Sequence, residues 1–147
     1  MFVQTKKLSG VPASASATSA SSTATLEAPV WTTFDSTHFA STDIVAHGGV
    51  WQVPQFTRVK HGDAYKVTIR GLVRNNAGFN NTDVILTLPP GHAPPAFVTF
   101  NTTNHNELLT ATVQCRVDVH TNGNLVVGNV PTASTYISLD GITYWTN

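Results

Sequence analysis

The chain has 147 residues, 8 basic and 8 acidic side chains and no formal net charge, and only 11 % of it is charged, well under the ~25 % usual in soluble domains. That balance excludes a nucleic-acid binder that works by neutralising phosphates, and the 41 % hydrophobic content excludes a disordered chain. No apolar run approaches the about 20 residues of a membrane-spanning helix, and 17 Val and 22 Thr against 2 Glu and 4 Lys favour strands over helices.

Met1–Gly10 reads MFVQTKKLSG and has no apolar stretch long enough for a secretory signal. It carries Phe2, Val3 and Leu8 beside Lys6 and Lys7. Ala13–Thr25 is thirteen consecutive Ala, Ser and Thr residues, a composition that buries no face and reads as a flexible tether. Such a stretch spans about 20 Å as a coil and roughly 45 Å when extended. A short apolar and basic peptide on a tether reads as a docking arm that orders on a partner; the alternative is a frayed terminus. The expected division is an extended arm over residues 1–29 and one β-domain over residues 30–147.

From Val30 onward the pattern is β. Val30–Phe34 is a first candidate strand, followed by a Thr-, Ser-, His- and Gly-rich loop with a short apolar piece at Ile44–Ala46. Val50–Val53 and Phe56–Lys60 are short strands separated by Pro54. Tyr65–Val73 alternates, with Tyr65, Val67, Ile69 and Gly71 on one face and Lys66, Thr68 and Arg70 on the other, as a half-buried antiparallel strand does. Asn75–Thr82 reads as a polar loop, Val84–Leu88 as a strand, and Phe97–Thr102 as a strand ahead of an Asn-rich loop at Thr103–Asn106. Thr112–His120 alternates with Val113, Cys115, Val117 and Val119 inward. Asn122-Gly123 predicts a tight hairpin with both residues at positive φ, returning through Asn124–Gly128. Tyr136–Leu139 and Ile142–Trp145, around Asp140-Gly141, predict a closing hairpin. Nine or ten short strands without a helix predict an all-β fold, an antiparallel, jelly-roll-like β-sandwich.

Little in the chain points to catalysis. No G-x-S-x-G or comparable nucleophile motif occurs, the two glutamates lie in the tether and a polar loop, and four of the six aspartates adjoin turns, where Asp is expected. No enzyme activity, cofactor or resident metal is expected. Asp118 and His120 share one strand face and could hold a cation or simply be solvated. Cys115 reads either as a reactive thiol or as a small buried hydrophobe. Trp31, Trp51, Tyr144 and Trp145 are the aromatic candidates for stacking on a glycan; the alternative is packing in the core or at a subunit interface.

Four segments also resemble, in order, the C-terminal domains of bacteriophage tail-fibre and head-fibre proteins. They are FTRVKHGDAYKVTIRGLV at Phe56–Val73, ILTLPPGHAPPAFVTF at Ile85–Phe100, Arg116-Val117-Asp118-Val119 leading into Asn122-Gly123, and YISLDGITYW at Tyr136–Trp145. The chain departs from that pattern at His92, where Tyr is usual, and in a longer loop over Asn101–Thr110. The resemblance implies a compact β-domain on the outside of a virion, commonly a homotrimer. With a short arm and no repetitive shaft, the expectation is a capsid decoration (cement) or head-fibre-like protein. It would be made in the host cytoplasm and docked on the major capsid protein through Phe2, Val3, Lys6, Lys7 and Leu8. The alternative is a tail-fibre or baseplate protein that binds a host-surface glycan.

Overall fold

The computed structural model describes residues 28–105, 113–131 and 134–147, apart from the side chain of His105. The arm residues Phe2, Val3, Lys6, Lys7 and Leu8 lie outside the described residues.

The described chain is all β. Its strands are β1 (Thr32–Thr33), β2 (Ile44–Ala46), β3 (Gln55–His61), β4 (Ala64–Arg70), β5 (Leu72–Phe79) and β6 (Val84–Thr87). They continue as β7 (Val98–His105), β8 (Val113–Val119), β9 (Asn124–Gly128), β10 (Ser134–Ser138) and β11 (Ile142–Thr146). Every pairing is antiparallel. A four-stranded sheet in the order β1-β3-β4-β11 faces a seven-stranded sheet in the order β2-β5-β10-β7-β8-β9-β6. The result is an unequal β-sandwich.

The alternating strands supply the core. Val67 and Ile69 on β4, Val117 and Val119 on β8, Leu125 and Val127 on β9 and Ile142 on β11 are fully buried between the sheets. Burying a side chain of this size contributes about 1.5–3 kcal/mol, and this shared interior holds the sheets face to face. Cys115 belongs to it. Burial pushes its thiol above the usual range, which matches the hydrophobe reading and leaves little nucleophilic thiolate.

One corner joins the two layers. β4 pairs with β11 in the smaller sheet, with Ile69 opposite Ile142. β5 pairs with β10 in the larger sheet, with Leu72 opposite Ser138. A single two-stranded ribbon therefore bends from one sheet into the other at Gly71 on one strand and Asp140-Gly141 on the other, as corners in sandwiches do. Gly71 has φ +108°, and a Cβ there would lie 2.5 Å from the Val53 carbonyl oxygen. The Gly71 N–H donates to Asp140 Oδ1 at 2.8 Å, and the Gly71 carbonyl accepts from the Leu139 N–H at 2.8 Å.

This corner corrects two expectations. The alternation over Tyr65–Val73 is not one strand, because it breaks at Gly71. Tyr136–Trp145 is not a hairpin, because its two strands join different sheets. Other differences follow from partners distant in sequence. Asn75–Phe79, expected as loop, continues β5. Asn75 satisfies its own amide by accepting from Ala77 N–H at 2.9 Å and donating to the Gly78 carbonyl at 2.8 Å. Thr103–His105 likewise continues β7, where buried Asn104 accepts from Ser134 Oγ at 2.8 Å. Val50–Val53 is not a strand: the chain turns at Gly48 and Gly49, both at positive φ. The strand expected at Val30–Phe34 shrinks to Thr32–Thr33. At Asn122-Gly123 only Gly123 has positive φ (89°), and its N–H donates to the His120 carbonyl at 2.9 Å. That is a longer turn than the two-residue type with paired positive φ.

Candidate functional site

The four aromatic candidates do not converge. Tyr144 is buried and its hydroxyl donates to the His92 carbonyl at 2.7 Å, so it is an interior strut, the core-packing alternative for this residue. Together with Thr146 Oγ1, which donates to the Ala93 carbonyl at 2.7 Å, it straps the 89–95 loop onto β11. The His92 ring, where the resembling domains carry Tyr, stands edge-on to Phe56 at 5.0 Å. Trp51 is exposed on its loop, 5.9 Å from the His47 ring, which in turn lies 4.5 Å from Tyr136.

Trp31 and Trp145 belong to the outer face of the four-stranded sheet. The Arg70 guanidinium lies 3.7 Å over the Trp31 ring and is held there by two bonds to Gln55 Oε1, at 2.7 and 3.1 Å. Trp145, 53 % exposed, sits opposite Lys66 and edge-on to His61 at 5.4 Å. A shallow, mostly apolar groove of about 270 Å³ runs between Pro29, Trp31, Val59 and His61.

A larger groove, about 570 Å³, lies on the outer face of the seven-stranded sheet over β8, β9 and β6. It follows from alternation. Because Cys115, Val117 and Val119 point inward, Arg116, Asp118 and His120 point outward. Across the strand pairs, Arg116 faces Gly128 and Asp118 faces both Val126 and Thr99. Gly128 leaves room for the Arg116 side chain: a Cβ there would lie 2.9 Å from Nη2 and 3.0 Å from Nε. The guanidinium lies over Gly128, and Nη2 meets Asp118 Oδ2 at 3.0 Å. Asp118 Oδ1 accepts from Thr99 Oγ1 at 2.8 Å. At one end His120 stacks on Phe97, with centroids 4.4 Å apart and planes 22° apart, and Phe97 is 66 % exposed.

Two loops rim this groove, and each places a residue in an unfavourable backbone conformation. Thr82 (φ 75°) and Asn129 (φ 55°) are the non-glycine residues at positive φ among the described residues, and both line the groove. Positive φ at a β-branched residue costs about 1–2 kcal/mol. It is held by the Thr82 N–H to Val127 carbonyl bond at 2.8 Å and the Val127 N–H to Asp83 carbonyl bond at 2.9 Å. Asn81 Oδ1 accepts from the Val130 N–H at 2.9 Å, and Asn124 Oδ1 accepts from Thr87 Oγ1 at 2.9 Å. Both carboxamide oxygens are thus engaged, which turns each NH₂ group into the available donor.

The cation reading of Asp118 and His120 finds no third ligand: among the described residues no group of three His, Cys, Asp or Glu side chains converges. Asp118 serves Arg116 and Thr99 instead. What the groove offers is a neutralised Arg–Asp pair and amide donors, with the Phe97–His120 stack at one end. Sequence reasoning placed Asp118 and His120 on one face. It missed Phe97, Arg116 and Gly128, because the β7–β8 and β8–β9 registers bring them together.

The fold defines a class, a two-sheet antiparallel sandwich with a ribbon crossing between layers. A solved structure with a similar fold is the receptor binding protein (gp15) of Listeria phage PSA, matched with a TM-score of 0.63 at 22 % identity over 82 % of this chain and 66 % of that one. This chain thus spans slightly less than two thirds of that protein's length. No family model and no curated protein matches the sequence.

Proposed function

We propose that this chain is a bacteriophage virion component whose β-domain faces outward and binds the bacterial host surface, as a receptor-binding module. The observation that carries this reading is the sandwich shared with the Listeria phage receptor binding protein over 82 % of the chain. The four fibre-like segments support it independently, since they span both sheets and the corner. In this reading the protein is a homotrimer and performs no catalysis. The outer groove over β8 and β9 makes the host contact.

The layout of residues 1–29 favours a second reading, in which the arm docks on the capsid through Phe2, Val3, Lys6, Lys7 and Leu8 and the domain decorates the shell. Two observations separate the readings. Gold-labelled antibody on intact particles marks the tail if the domain binds receptors and the head if it decorates the capsid. Fluorescently labelled full-length protein stains host cells in the first case only.

A further inference from the structure

The groove on the outer face of the four-stranded sheet lies where the arm joins the domain. Pro29, next to the first described residue, lines it with Trp31, Thr57, Val59, His61 and Lys66. We infer that this groove is the seat of Thr25–Glu27, the segment just before Ala28, and that Leu26 and Glu27 fasten the arm to the domain there. The inference holds whatever the far end of the arm meets.

Three features of the groove favour such an occupant. Thr57 alternates with the core residue Phe56 and so faces outward, yet it is only 4 % exposed, and its hydroxyl has no hydrogen-bond partner among the described residues. Buried polar groups rarely stay unpaired, and a backbone carbonyl laid along the groove would accept from it. Lys66 stands between Val59 and Trp145 in the register and has no carboxylate partner among the described residues. The edge of β3 away from β4 pairs with β1 at Gln55 and Phe56, and among the described residues no strand covers it from Thr57 to His61.

The sequence supplies the matching groups at the right place. Ala13–Thr25 holds no charge and no apolar residue larger than Ala, and Leu26 and Glu27 follow it directly. Both lie within about 10 Å of Pro29 along an extended chain. Leu26 suits the apolar walls of Trp31 and Val59, and the Glu27 carboxylate suits the Lys66 ammonium. Seating residues this close to β1 closes a short loop at small entropic cost, whereas Phe2 or Val3 would have to close the whole tether. The arm then leaves from the face opposite the outer groove of the seven-stranded sheet. One side of the sandwich is held and the other is presented.

The test treats the full-length protein with a glutamyl endopeptidase, which cuts the Glu27–Ala28 bond. In the folded protein that bond should be cut about tenfold more slowly than in a synthetic peptide of residues 20–34, because cleavage follows the population of the undocked form. Lys66→Met and Leu26→Ser, the latter scored against a peptide with the same change, should each remove most of that protection. Thermal midpoints near the parent's confirm that both variants fold. Glu27→Cys with Lys66→Cys should form a disulfide within one chain on mild oxidation. Glu27→Cys with Asn101→Cys, which is on the seven-stranded sheet, should not. Cleavage of the parent as fast as the peptide overturns the inference, as does protection that survives either single change. Equal disulfide yields in the two double variants overturn it as well. A disulfide that links two chains also overturns it and gives the groove to the arm of a second copy.

Discussion

Adding one methyl group at Gly71 would set a Cβ 2.5 Å from the Val53 carbonyl oxygen and 2.6 Å from Pro54 Cα, at a φ of +108°. Both neighbours are backbone and cannot swing aside. Gly71→Ala is therefore expected to destabilise the fold by about 3–5 kcal/mol, read from urea unfolding, through overpacking and backbone strain together. Gly128 is the contrasting case, because its neighbour is the flexible end of Arg116. Gly128→Ala should leave stability within about 1 kcal/mol while lifting the guanidinium off the sheet and weakening binding in the outer groove. Tyr144 carries a pH signature. Burial pushes its phenol above the ordinary range, so the folded state keeps a proton that the unfolded state releases near pH 10. Its contribution is complete below about pH 10 and falls by about 1.4 kcal/mol per pH unit above it. Tyr144→Phe should flatten that alkaline decline. At neutral pH the same variant should cost about 1 kcal/mol for the lost bond to His92.

At the level of elements, the corner is the joint that sets the two sheets against each other. Asp140→Ala removes the acceptor of the Gly71 N–H and should cost about 1–3 kcal/mol. Asp140→Asn keeps an acceptor oxygen and should recover most of it, with both measured by chemical denaturation. The sequence pattern marked this place as a turn but could not say that its strands enter different sheets, since Asp-Gly serves hairpin and corner alike. Strands with one apolar face, β4 and β8, were legible because their period of two is complete. The ends of β5 and β7 were not, because Asn75 and Asn104 look like loop residues. Asn104 becomes tolerable in a strand through partners distant in sequence, among them Ser134, 30 residues away. The β-branched Thr82 at positive φ left no trace in the sequence at all, as it is imposed by the bonds that the Thr82 N–H and the Asp83 carbonyl make to Val127 on β9.

For the whole molecule, composition and spacing were enough for an all-β sandwich, and the resemblance in four segments pointed to the surface of a phage. Composition could not reveal which face carries the proposed contact. Of the aromatics that stood out, Tyr144 went inside and the three tryptophans divided between separate regions. The groove with the richest binding chemistry is built by register, which puts Phe97 beside His120 and Gly128 beneath Arg116. The neutrality of the chain has a local counterpart there, in an Arg–Asp pair that cancels its own charge. In the proposed function this face meets the host cell. Its most direct test is competition for adsorption. Purified full-length protein is incubated with host cells before virions that carry it are added, and unadsorbed particles are counted. A dose-dependent block of adsorption is expected, retained by Trp145→Ala and lost in Phe97→Ala. Unchanged adsorption at saturating protein, with no protein bound to the cells, would contradict it.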